Sequence, residues 1–152
     1  MRVQNAERER RIASTVHLSF LSSIGVFALI LWIARRGAAV TLDSAGRNAT
    51  ATGLMLFLGI AEVGWAGWFG RRLLVRGSGE ALPRVRSCFY LRFAAAEAVA
   101  VFGLMAGLLG SPAVTIGLFL GVAAAALAAA APSREAWQSA LATAGGPAGP
   151  LP

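Results

Sequence analysis

Four apolar segments, each close to the length that crosses a bilayer, leave this chain few ways to fold. They run from Ala13 to Ala34, Ala51 to Phe69, Phe89 to Leu109 and Ala113 to Ala131. As helices they approach the ~20 residues that span ~30 Å of hydrocarbon. At 57% hydrophobic and 14% charged residues, the 152-residue chain is far more apolar than an ordinary soluble domain. The predicted fold is all-α, an integral-membrane four-helix bundle over residues 13–132. A charged lead (residues 1–12) precedes it, and a short interfacial turn with a disordered tail (133–152) follows. The first apolar segment exceeds a signal-peptide core and runs straight into Arg35-Arg36, so it is expected to be a retained span.

The charges sit where topology puts them. All 14 basic residues are arginine, which together with heavy Ala and Gly usage suggests a GC-rich bacterial genome. Four arginines precede the first span, three follow it, six lie between spans two and three, none separates spans three and four, and one comes after. With both termini cytoplasmic, 11 arginines lie inside and 3 outside, which satisfies the positive-inside bias. The expected location is the bacterial inner membrane. Trp32, Trp65, Trp68, Tyr90 and Trp137 fall mostly near span ends, where aromatic belts form. The net charge of +7 does not imply nucleic acid, because the arginines cluster at the ends of apolar runs and form no basic face on a soluble fold.

Small residues suggest the packing. Only Gly110-Ser111-Pro112 separates spans three and four, which predicts a tight antiparallel hairpin. Gly103 and Gly107, with Gly117, Gly121, Ala125 and Ala129 at the same spacing, are the expected seam, since small residues let helix backbones approach. Thr15, Ser19, Ser22 and Ser23 form a polar stripe on span one, expected to pack against neighbours. Glu7 and Arg11 are spaced for an i,i+4 pair in the lead.

Two carboxylates interrupt the apolar runs. Glu62 and Glu97 each lie about 10 Å in from the cytoplasmic end of spans two and three, at 1.5 Å per residue. An ionised group in hydrocarbon is costly and marks a functional candidate. Antiparallel helices can bring the two opposite each other, where they would share a proton. The competing reading is structural: Glu62 pairs with Arg92 or Arg71 as an internal staple. Arg92 and His17 are the candidate partner groups, with His17 on the same cytoplasmic side. A packed histidine is the ordinary role for His17, and a packed thiol for Cys88.

The segment Glu97-Ala-Val-Ala-Val-Phe-Gly-Leu104 resembles the second hairpin helix of the rotary ATP synthase proteolipid, subunit c. That resemblance implies an ion-binding role for Glu97. The glycine-repeat first helix of the proteolipid has no counterpart here, where Trp65 and Trp68 stand. Phe102-Gly103 after Glu97, and Pro132-Ser-Arg-Glu-Ala-Trp137 after span four, also resemble small uncharacterised four-span bacterial membrane proteins. That likeness implies the fold and leaves the function open.

Other chemistries lack their residues. A single cysteine and a single histidine exclude an internal disulfide and a Cys/His zinc site within one chain. No P-loop, His-Glu-x-x-His or nucleophile elbow occurs, so neither an enzyme nor a cofactor or metal is expected. Two functions remain. One is a proton-binding or transport component using Glu97, with Glu62; alanines around Glu97 offer none of the oxygens a sodium shell needs. The other is a structural or accessory subunit whose carboxylates fix helix packing and whose basic loop docks a partner or anionic lipid. The lipid bilayer is the expected partner, with a homo-oligomer or membrane-complex partner as a further expectation.

Overall fold

The computed structural model describes residues 2–37 and 49–145, and within them the chain is all-helical. α1 covers Arg2–Gly37, α2 Ala49–Arg76, α3 Ala81–Leu108, α4 Ala113–Ala129 and α5 Arg134–Thr143. α1, α2 and α3 are each long and apolar enough to cross a membrane. α4 has 17 residues, about 25 Å of straight helix, and meets α5 at a 68° bend. The charged lead is not a separate piece, because it continues into the first apolar run as one helix of 36 residues. The turn expected after Pro132 is likewise longer than predicted, a ten-residue helix capped by Ser133, whose hydroxyl accepts from the Ala136 N–H at 3.1 Å. The tail from residue 146 and most of the first loop lie outside the described residues.

α3 is the hub, packed by α1, α2, α4 and α5. Its sequence explains why: Ala95, Ala96, Ala100, Gly103, Ala106 and Gly107 are all buried and give three neighbours close access. The hairpin to α4 closes as expected. Gly110, at φ +85°, donates to the Gly107 carbonyl at 3.1 Å while Ser111 donates to Ala106 at 3.0 Å. These two bonds are the Schellman pattern that ends a helix on a left-handed glycine.

Half of the predicted seam is correct. A Cβ on Gly103 would lie 2.6 Å from the Phe119 Cβ, and one on Gly107 would lie 2.3 Å from Leu31 Cδ2, so both glycines receive a neighbour's side chain. Gly117 and Gly121 are exposed, with nothing within 4 Å of an added Cβ. α4 instead turns Ile116, Phe119, Ala123 and Leu127 inward. The seam is large side chains of α4 set into small residues of α3, because facing rows of glycine would leave the interface unfilled.

The polar stripe of α1 is also placed differently from the expectation. Thr15, Ser19 and Ser22 are exposed, and each hydroxyl donates to the carbonyl four residues earlier, at 3.2, 3.2 and 3.0 Å. Satisfied within the helix, these groups need no neighbour.

Polar ties close both ends of the bundle. At one end the Arg35 guanidinium donates to the Ser111 carbonyl, and Thr52 and Ser111 share a hydroxyl–hydroxyl bond at 2.9 Å. This joins α1, α2 and the hairpin turn. At the other end Arg84 donates to the carbonyls of Leu74 at 3.0 Å and Ala144 at 2.6 Å. A cation there satisfies the last carbonyls of α2 and α5 and opposes their dipoles favourably. Beside it, Trp137 is fully buried and stacked on Phe89 at 5.1 Å between ring centres. Ala6, Ala13, Leu74, Val85 and Leu141 complete that core.

Candidate functional site: separated carboxylates and an arginine cleft

The α2–α3 register sets the two carboxylates level with each other. Gly59 packs on Val99 and Gly70 on Cys88, so these antiparallel helices bring Glu62 level with Ala96 and Glu97. Rotation separates them. Cys88, Arg92 and Val99 define the side of α3 that meets α2, and Glu97 lies about 180° around the helix from Cys88 at 100° per residue. Glu62 is exposed on α2, about 60° from the inward-facing Gly59. The expected face-to-face pair does not form.

Neither carboxylate has a cationic partner among the described residues. The ion pairs among the described residues are Glu7 with Arg10 and Arg11, and Glu9 with Arg86. The predicted staple from Glu62 to Arg92 or Arg71 is therefore absent among them. Glu97 is half-buried and makes no hydrogen bond to another described residue. His17 is committed elsewhere: its Nε2 lies 2.9 Å from the Leu127 carbonyl, and its ring packs on Phe93 at 5.2 Å. A carbonyl only accepts, so Nε2 carries the hydrogen. The bond serves the end of α4, where Pro132 interrupts the chain and Ala131 donates to Ala128 instead of Leu127. His17 is thus a packed, helix-capping residue, the ordinary role. Among the described residues no cluster of His, Cys, Asp and Glu is suited to hold a metal.

The feature that sequence reasoning missed is a cleft of about 470 Å³ between α2 and α4. Gly64, Gly67 and Trp68 form one wall and Ala126 and Ala129 the other. Arg92 rises from α3 between them and Arg71 stands on the α2 side. The Arg92 Nε is buried without an acceptor. Neither guanidinium has a carboxylate within ion-pair distance among the described residues. Beside the cleft, the Arg72 guanidinium lies over Trp68 at 5.1 Å from the ring centre, a cation–π contact. Spacing hinted at this: Arg71 and Gly67 are i,i+4 on α2, and Arg92 is the first charge inside the apolar run that begins at Phe89. The contribution of α4 depends on tertiary placement and has no local signature.

Electrostatics are strongest in the lead. Arg10 grips Glu7 with both nitrogens, at 3.0 and 2.8 Å, and Arg11 adds a 3.3 Å contact from a side chain that is 76% exposed. The Arg10 hydrogen bonds hold the Glu7 carboxyl at about 2, against an ordinary 4.5, with burial opposing them and Arg11 assisting. A depressed carboxyl pKa contributes stability that is complete above about pH 4.5 and is lost as pH falls toward about 2. The hydrogen-exchange protection factors of residues 4–12, referred to the intrinsic rate at each pH, should therefore fall across that window, and Glu7→Gln should remove the fall. Protection factors that stay flat in the parent chain from pH 5 to pH 2.5 would show that the pair does not hold the lead.

Comparison of the chain with protein-family models, with curated proteins and with solved structures finds no match.

Proposed function

We propose that the chain is an integral membrane protein of the bacterial inner membrane. α1, α2 and α3 each cross, and α4 with its bend into α5 makes the fourth passage, leaving both termini cytoplasmic. Its role is that of an accessory subunit, presenting the arginine-rich end of the bundle to an anionic partner. The observation that carries this reading is the cleft lined by both Arg71 and Arg92, neither of which has a carboxylate within ion-pair distance among the described residues. The apolar belt supports insertion: Leu29, Phe57 and Trp65 are each more than half exposed, a surface suited to lipid. Trp32 under Arg36, at 3.7 Å, and Trp68 under Arg72 bracket that belt at opposite ends, as interfacial anchors do.

A second reading, reversible proton binding at Glu97, is favoured by that residue's half-buried place with no ion-pair partner among the described residues. The two readings part in reconstituted vesicles. With a membrane potential applied and a pH-sensitive dye inside, an accessory subunit conducts no protons above empty vesicles, and Glu97→Gln changes nothing. Flux in the parent protein that Glu97→Gln abolishes would replace the accessory reading with the proton-binding one. Under either reading, Glu97→Gln leaves thermal stability in detergent unchanged or raised, because no arginine among the described residues loses a partner. Strong destabilisation, of the ~3–5 kcal/mol seen when a buried pair is broken, would reveal a cation beside Glu97.

A further inference from the structure

We infer that the α2–α4 cleft is a binding site for one anionic phospholipid, with its phosphate held between Arg71 and Arg92. This rests on the accessory reading and names the partner that the basic end receives.

Charge comes first. Arg71 and Arg92 both line the cleft, and among the described residues neither guanidinium has a carboxylate within ion-pair distance. Two cations sharing a groove without a counter-charge favour an anion there. A guanidinium presents paired donors that match two phosphate oxygens, which favours a phosphodiester over a spherical ion. Shape comes second. The cleft volume, about 470 Å³, lies in the range of sites that bury small ligands. Below the arginines its walls are apolar and low, with Val63, Gly64 and Ala126 leaving room where larger side chains would fill the groove. No atom lies within 4 Å of a Cβ placed on Gly64 or Gly67, so those glycines keep the groove open and are not needed for helix contact. A charged head above an apolar channel fits a lipid and not a free anion. Location comes third. The cleft lies at the end of α2 that carries Arg71, Arg72 and Arg76, the side that the arginine distribution assigns to the cytoplasm, where anionic headgroups are concentrated.

The test is thermal unfolding of the purified full chain in mixed micelles with phosphatidylglycerol, phosphatidylcholine or inorganic phosphate. Phosphatidylglycerol should raise the melting temperature saturably, whereas phosphatidylcholine and millimolar phosphate should not. Arg71→Gln/Arg92→Gln should weaken the apparent affinity about tenfold or more, the order expected on losing a charge-assisted pair. Gly67→Leu, which keeps both arginines and fills the groove, should weaken it similarly. Arg134→Gln, an exposed charge on α5, should leave it within about twofold, as a change outside the site does. Equal stabilisation by phosphatidylcholine, saturation by phosphate alone, or an unchanged response in both the double variant and Gly67→Leu would overturn the inference. Such a failure leaves the accessory reading standing, whereas proton flux lost in Glu97→Gln removes that reading whatever the cleft binds.

Discussion

Trp137→Ala should destabilise the protein by about 3–5 kcal/mol, the largest effect expected from any single side-chain truncation here. Trp137 is fully buried and stacked on Phe89, and its core also holds Ala6 and Ala13 of α1, Leu74 of α2 and Val85 of α3. Removing the indole opens a cavity that a ten-residue helix cannot close by itself, so α5 should detach and free the Arg84 bond to Ala144. Trp137→Phe should cost much less. It keeps a ring against Phe89 and deletes an indole N–H that has no acceptor among the described residues. Thermal unfolding in one detergent measures both variants. Equal losses for Ala and Phe would mean that the indole N–H is bonded, not orphaned.

A contrast between two glycines on the α3–α4 hairpin gives the second large effect. Gly103→Leu should cost roughly 1–3 kcal/mol or more through overpacking, because even the first added carbon would lie 2.6 Å from the Phe119 Cβ. Gly121→Leu should be neutral or stabilising: its site is open, and leucine is the better helix former. Destabilisation by both would return Gly121 to the helix seam and contradict the rotation of α4 described here.

These variants also mark the boundary of what could be read before the structure. Segment positions and the hairpin were legible, since long apolar runs and Gly110-Ser-Pro112 are local signals with few alternatives. Relative height was legible as well, because counting residues fixes position along packed helices, and Glu62 and Glu97 do lie level with each other. Rotation was not. α4 carries small residues on more than one face, so the spacing of Gly117, Gly121 and Ala125 could not be told from the buried spacing of Ile116, Phe119 and Ala123. The same ambiguity hid the divergence of Glu97 from α2. Bonds between distant segments left no trace either: Arg84 to Ala144, His17 to Leu127 and Arg35 to Ser111 depend on carbonyls that sequence does not distinguish. The arginine cleft belongs with them, as five of its nine lining residues are alanine or glycine.

Thiol labelling on each face of the membrane tests the proposed insertion and orientation most directly. In a Cys88→Ala background, Ser78→Cys places one thiol in the connection between α2 and α3, at an exposed position beside the arginine-rich ends. The protein should stay with the membrane after alkaline carbonate extraction. The new thiol should resist an impermeant maleimide in spheroplasts and react fully in inside-out vesicles. Labelling of Ser78→Cys from outside the spheroplast, or release of the chain into the carbonate supernatant, would contradict the proposed arrangement.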